Sequence, residues 1–361
     1  MRSRKATVRG SLFISLLTML ALPGGPGPLG NADLKLFGPG GVRPQVVRQG
    51  LFGSCYFHAA VAAIAQANPE VIRRVIRENQ DNSYTVQFPD KKTETAYPED
   101  LKFARESGYE RSDDLWVGVL LRAYAQRVLR AALVGTVDNS SLSPILKTYM
   151  KDFLATNDAV LVAYDRAIRT VVDQNGNINR VELVKRLRGE MAPFNLSSEV
   201  QDTLIGLIDS KGLLDSIAAV IRENGEIFGA YRAVGQGGLP GRVLEALMAR
   251  RAVYLQTKPE RRAVVSLLEN AASQPVVAMT GAELAQSVPD GRLTNEDQKW
   301  YLGTHAFTVL RYDPVAQLVT VRNPWASHPD PDGVFTIPLA KFLSLFTSVV
   351  TTTTEVPAGN R

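Results

Sequence analysis

Cysteine is nearly absent from this chain: 361 residues include one, Cys55. A lone cysteine excludes an internal disulfide, so the fold must rest on burial alone, and the thiol stays free unless another molecule takes it. Histidine is almost as scarce, with His58, His305 and His328 only, which makes the search for a catalytic base short. No sign of charge dominates. Residues 1–32 hold the basic residues Arg2, Arg4, Lys5 and Arg9 and no acidic one; without them 37 Lys+Arg face 36 Asp+Glu, and the net charge falls from +5 to +1. The basic pI of about 9.2 therefore gives no support for nucleic-acid binding. A long apolar run is missing too: Leu12–Leu22 is too short to span a bilayer comfortably, so no stable membrane anchor is expected. The basic start, the short apolar run and the Pro/Gly-rich exit ending near Ala32 have the form of a secretory signal peptide. Residues 1–32 are read as that signal, and the protein as secreted or periplasmic.

What is present is a globular composition, 45% hydrophobic, enough for one large or two ordinary domains. Cys55 lies in Arg48-Gln49-Gly50-Leu51-Phe52-Gly53-Ser54-Cys55-Tyr56-Phe57, a glycine-rich turn running straight into the alanine-rich helical stretch His58–Gln66. A thiol in the first turn of a helix meets unpaired N–H groups and the positive end of the macrodipole, which favour thiolate. That placement reads as a nucleophile in need of a base.

His58 follows Cys55 by one helical turn, but its ring would have to fold back to reach the sulfur, so it reads as a packing residue. His328 sits in Ser327-His328-Pro329-Asp330-Pro331-Asp332-Gly333, a turn-rich loop where a histidine is usually solvated. His305 has a different setting. Thr304–Leu310 alternates as a strand, Asp313-Pro314 turns it, and Gln317–Arg322 returns as its partner ahead of Asn323-Pro324-Trp325. The hairpin brings His305 close to Asn323. A base oriented by an amide carbonyl, with the Trp325 indole beside it to exclude water, is what a Cys-His nucleophilic pair needs.

These residues carry a resemblance to the protease core of the calpain family of papain-fold cysteine proteases. The cysteine segment resembles the family's Gln-Gly-x-x-Gly-Asp-Cys-Trp, with Ser54 and Tyr56 in place of Asp and Trp. Asp114–Ala125 is similar to its Leu-Trp-Val-x-Leu-Leu-Glu-Lys-Ala-Tyr-Ala helix, His305-Ala306-Phe307 to its His-Ala-Tyr, and Arg322-Asn323-Pro324-Trp325 to its Arg-Asn-Pro-Trp-Gly, with Ala326 replacing the glycine. Asp332-Gly333-Val334-Phe335 and Phe342-Leu343…Phe346 resemble its closing motifs. The resemblance covers residues 46–126 and roughly 230–348; after Val350 no room remains for the C-terminal modules of animal calpains.

The resemblance implies an α+β, papain-like two-lobed cysteine protease, a helical lobe facing an antiparallel β lobe, with a large helical insertion. It implies a Cys55, His305 and Asn323 triad, with Gln49 donating its amide to the oxyanion beside the Cys55 N–H, and Gly237-Gly238 pairing with substrate backbone. The expected organisation is 33–126 for the first part of the helical lobe, 127–229 for the insertion, 230–270 for the rest of that lobe, 271–350 for the β lobe, and 351–361 as a tail. Strands are expected over Pro275–Met279, Ala306–Arg311 and Val319–Arg322.

The insertion reads as helical, with apolar residues at three- and four-residue spacing over Ile145–Phe153, Ala159–Val172, Val181–Leu187, Val200–Ile208 and Leu213–Ile221. It reads either as a bundle against the catalytic lobe or as a cap over the cleft. Within it, Val171–Glu182 has the outline of a calcium loop, with Asp173, Asn175 and Glu182 at ligand positions 3, 5 and 12. Val171 stands where the first carboxylate belongs, so an Asn-Gly turn between helices is the favoured reading. No cofactor is required; calcium stays open. The function expected is a calpain-like endopeptidase acting on proteins or peptides through a thioacyl intermediate. A transglutaminase-type acyltransferase and an inactive protease-fold binding module are the alternatives.

Overall fold

A computed structural model of the chain describes residues 34–138, 179–192, 197–209, 230–235, 237–281, 303–326 and 332–353, with single positions 148, 167, 170 and 171. The signal-like residues 1–32, His328, Asp173, Asn175 and the helix expected over Leu213–Ile221 lie outside the described residues, as do most of Ile145–Phe153 and Ala159–Val172.

The described chain is α+β, with two antiparallel sheets. The smaller has the order β1 (Ile76–Glu78), β2 (Tyr84–Gln87), β3 (Thr93–Ala96). The larger is built from β4 (Ala252–Gln256), β5 (Val277–Met279), β6 (Ala306–Asp313), β7 (Leu318–Arg322), β8 (Val334–Pro338) and β9 (Ser348–Thr352), in the order β4-β9-β5-β6-β7-β8. The helices are α1 (Cys55–Ala67), α2 (Pro69–Val75), α3 (Pro98–Glu106), α4 (Leu115–Asp138), α5 (Arg180–Met191), α6 (Ser198–Asp209), α7 (Ala230–Gly235), α8 (Pro240–Met248), α9 (Arg261–Glu269) and α10 (Leu339–Leu345).

The core is organised by the large sheet. Phe307 and Val309 of β6 point to one face, into a cluster with Leu268 of α9 and Phe342 of α10; Ala306 points to the other, into a cluster with Val277, Val350 and the buried side of α1. A strand buried on both faces reads as a near-continuous apolar run rather than as strict alternation. Helix α1 is buried all round, from Tyr56 to Ala65. Its alanines 59, 60, 62, 63 and 65 leave room for β6 on one side and α2 and α8 on the others. Thr308 Oγ1 on β6 donates to the Ala59 carbonyl at 2.8 Å, fixing the depth at which the start of α1 meets the sheet.

Several expected boundaries move. The small sheet lies within 33–126, so that stretch is not wholly helical. Residues 252–269 were expected with the helical lobe, yet β4 pairs with β9 from Ala252↔Thr352 to Gln256↔Ser348, and α9 covers the large sheet. The Val253/Leu255 alternation is the short pattern of an edge strand, and its partner is nearly a hundred residues away. The expected tail at 351 begins inside β9. Helix α4 crosses the 126/127 boundary without a break, held by the buried ion pairs Arg122–Asp100 (3.2 Å) and Arg130–Glu94 (2.7 Å). Helices α5 and α6 match the expectations for Val181–Leu187 and Val200–Ile208.

Candidate active site

Cys55 opens α1 as the sequence requires, but the helix start is uncapped by any side chain: Ser54 uses its carbonyl, which accepts from Phe57 N (3.0 Å) and His58 N (3.1 Å). The Cys55 and Tyr56 N–H groups are therefore left to the sulfur, which also meets the N–H of Ala306, the residue after His305. All three donors favour thiolate. Burial outweighs them and raises the thiol above its usual 9.0, so the helix start does not by itself make the thiolate that the sequence suggests.

The orientation of His305 follows from Asn323. The backbone N–H of Trp325 donates to Asn323 Oδ1 at 3.0 Å, which fixes the oxygen end of the amide. His305 Nε2 lies 2.9 Å from the same oxygen and must carry the proton as donor. Nδ1 then keeps its lone pair. A bulge between Val309 and Arg311 shifts the β6–β7 register by one residue. Continued from Thr308↔Arg322, that register brings His305 level with Trp325, and their rings lie 4.9 Å apart. Trp325 is 36% exposed while His305 and Asn323 are buried, so the indole lies on the solvent side of the imidazole it packs against. The next residue, Ala326, has φ +53, a left-handed conformation that favours glycine.

Burial pushes the His305 imidazole down to about 4, only partly offset by Asn323. Both shifts favour neutral imidazole and thiol as the resting pair at neutral pH, so a reaction through this pair would move the proton during attack rather than before it. The ultraviolet absorbance of the thiolate, followed as a difference from Cys55→Ala, is expected to emerge at higher pH than for an ordinary thiol; a thiolate signal already present at neutral pH would instead establish a preformed ion pair.

Gln49 is buried behind the same loop. Its Nε2 donates to the Phe52 carbonyl at 2.6 Å, leaving the second amide hydrogen for another acceptor. Its position is stapled to β7 and the residues after it: Gln49 N donates to Pro324 O at 2.8 Å, and Arg322 Nη2 donates to Val47 O at 2.6 Å. Gly53 N donates to Gly235 O at 2.8 Å, bringing the glycine segment beside the cysteine loop. A Cβ on Gly238 would lie 2.6 Å from the Tyr56 ring, whereas one on Gly237, at φ +95, would face open space. Glycines 237 and 238 are thus an exposed backbone strip next to Tyr56, the residue after Cys55.

The remaining expectations separate from this site. His58 is fully buried on α1, and its Nδ1–H donates to the Ser54 carbonyl at 2.9 Å. Glu182 pairs with Arg186 at 2.9 Å, while Asn179 caps its N–H at 3.1 Å, so it serves the start of α5. Among the described residues no group of three or more His, Cys, Asp or Glu could hold a metal ion. Two contributors escaped the sequence reading. Ala306 acts through its backbone, which leaves no side-chain signal, and Arg322, quoted only as part of a motif, is the clamp between β7 and the Gln49 segment.

No family model and no curated protein matches the chain. Among solved structures it is similar to PepW from Lactobacillus rhamnosis HN001 (DR20), determined as the selenomethionine derivative, at 12% identity and a TM-score of 0.31 over 87% of this chain and 81% of that one. A TM-score of 0.31 is too low to establish a shared fold.

Proposed function

We propose that the chain is a calpain-like cysteine endopeptidase. The observation that carries this reading is the His305 Nε2–H to Asn323 Oδ1 hydrogen bond of 2.9 Å, which leaves Nδ1 as a base while the Ala306 N–H, one residue on, meets the Cys55 sulfur. In this reading Cys55 Sγ attacks the peptide carbonyl carbon as Nδ1 takes the thiol proton. The oxyanion collects the Cys55 N–H and the second hydrogen of Gln49 Nε2. Collapse breaks the C–N bond, the imidazolium gives its proton to the leaving amine, and water then hydrolyses the thioacyl intermediate. Asn323 holds one tautomer throughout, and no cofactor is needed. The helices around α1 and the six-stranded sheet become the two lobes of a papain-like fold, with extended substrate lying along Gly237-Gly238. The sequence-level signal at residues 1–32 adds export, so substrates are proteins or peptides met outside the cytoplasm.

The test is covalent. An epoxysuccinyl peptide inhibitor is expected to add once, on Cys55, and to abolish peptide hydrolysis in proportion to the fraction labelled. Folded protein that neither takes the label nor cleaves peptides would overturn the reading, and amine incorporation faster than hydrolysis would replace it with acyl transfer.

A further inference from the structure

His305 is the first residue beyond the end of the regular β5–β6 ladder, whose last paired residues are Met279↔Ala306. Its backbone is nevertheless held on both sides by one residue. Thr280 N donates to the His305 carbonyl at 3.0 Å, and the His305 N–H donates to Thr280 Oγ1 at 3.0 Å. The same hydroxyl lies 3.3 Å from the His305 carbonyl, to which it donates. A ladder continued in the ordinary way would use the Thr280 carbonyl for the His305 N–H; the hydroxyl takes that place. Thr280 is buried, so solvent cannot stand in for it.

The clamp faces a strained neighbour. Thr304 has φ +53, and a β-branched residue in the left-handed region persists only where its surroundings hold it. The strain and the clamp are consecutive along the chain, and the imidazole hangs on the peptide between them. The ring has two tasks in the proposed reaction: Nε2 donates to Asn323 at 2.9 Å, and Nδ1 must take the thiol proton. A small rotation of the His305 backbone would break one of them.

We infer that Thr280 is a positioning residue for the base: its hydroxyl fixes the His305 backbone against the turn at Thr304, so that the ring addresses Asn323 and Cys55 together. The inference rests on the proteolytic reading for its consequence in turnover, but not for its structural content. Two readouts keep the two apart. Thr280→Val preserves shape and removes the hydroxyl. It is expected to lower kcat for peptide hydrolysis by about 10- to 100-fold with KM nearly unchanged, as for a reacting group displaced by a fraction of an ångström to an ångström. Thr280→Ser restores the hydroxyl and is expected to restore kcat. In the proton NMR spectrum the His305 Nε2–H, shielded from exchange by its bond to Asn323, is expected to give a downfield resonance in wild type and Thr280→Ser that broadens or disappears in Thr280→Val.

If wild type cleaves no peptide yet the resonance is lost in Thr280→Val, the positioning role stands and the protease reading falls. If Thr280→Val, folded as judged by its unfolding transition, keeps both the resonance and wild-type kcat, the positioning role is overturned and the protease reading is untouched. A fall in kcat that Thr280→Ser fails to rescue would also overturn it, because the hydroxyl would not be the group responsible.

Discussion

His305→Ala is expected to lower kcat/KM for peptide hydrolysis by about 10⁴-fold or more, and the double variant with Cys55→Ala to lose no more than Cys55→Ala alone. In the proposed reaction the two side chains perform one step. Burial raises the thiol above its ordinary value and keeps the imidazole neutral down to about 4. Neither group is prepared to react by itself at neutral pH; the sulfur becomes a nucleophile only as Nδ1 removes its proton. Taking away the base leaves a protonated thiol, and taking away the sulfur leaves a base with nothing to activate. The site should survive the substitution, since Asn323 Oδ1 keeps the Trp325 N–H at 3.0 Å after the ring is gone. Steady-state kinetics on both single variants and the double variant decide the matter. Losses that multiply would mean that Cys55 and His305 contribute separately, and the shared proton transfer would have to be abandoned.

The parts of this site legible in the sequence are those built from local pattern. The hairpin of β6 and β7 needs only two short runs rich in β-branched and apolar residues, Thr304–Leu310 and Gln317–Arg322, and the turn at Asp313, whose Oδ1 accepts from Val315 N (2.9 Å) and Ala316 N (3.0 Å). That was enough to bring His305 and Asn323 together. Cys55 at the start of α1 was readable because Gly53, Ser54 and an alanine-rich run mark the transition. What was not readable depends on residues far apart in the chain. The Gln49–Pro324 and Arg322–Val47 hydrogen bonds, the hydroxyl of Thr280 on His305, and the pairing of β4 with β9 carry no spacing rule. The charge states were misjudged for the same reason. Proximity to a helix start is a local fact and argued for thiolate, whereas burial is a property of the assembled core and argued more strongly for thiol. The course of α4 past residue 126 was not readable either, because Arg130 is paired there with Glu94 of β3, a tertiary cause invisible in the helix itself.

Gly50→Ala is expected to destabilise the fold by about 3 kcal/mol, through overpacking that has nowhere to go, and to lower kcat/KM by about 100-fold in the fraction that remains folded. Gly50 sits between two fixed points: Gln49 bridges Glu110 in antiparallel fashion, and Leu51 N donates to Gly108 O at 2.6 Å. A Cβ at residue 50 would fall far inside contact distance of the Gly108 carbonyl oxygen, with the backbone of Tyr109 close behind it. That facing strand is not free to retreat. The carboxylate of Glu110 accepts from Ser112 N and from Arg105 at 3.1 Å, and the Tyr109 ring stacks on Phe52 with centroids 4.1 Å apart. The loop that must yield is therefore the one carrying Gln49 and leading to Cys55, which in the proposed reaction ties the stability cost to a loss of oxyanion donation and nucleophile placement. Gly118→Ala is the control: its Cβ would meet Leu101 Cδ2 at an ordinary 3.5 Å in the first turn of α4, and alanine is favoured over glycine in a helix by up to about 1 kcal/mol. Denaturant unfolding of the two variants should separate them, with Gly118→Ala at or above the wild-type midpoint and Gly50→Ala well below it. Equal midpoints would mean that the 108–110 segment yields, and that the Gln49 loop is not positioned by this close approach.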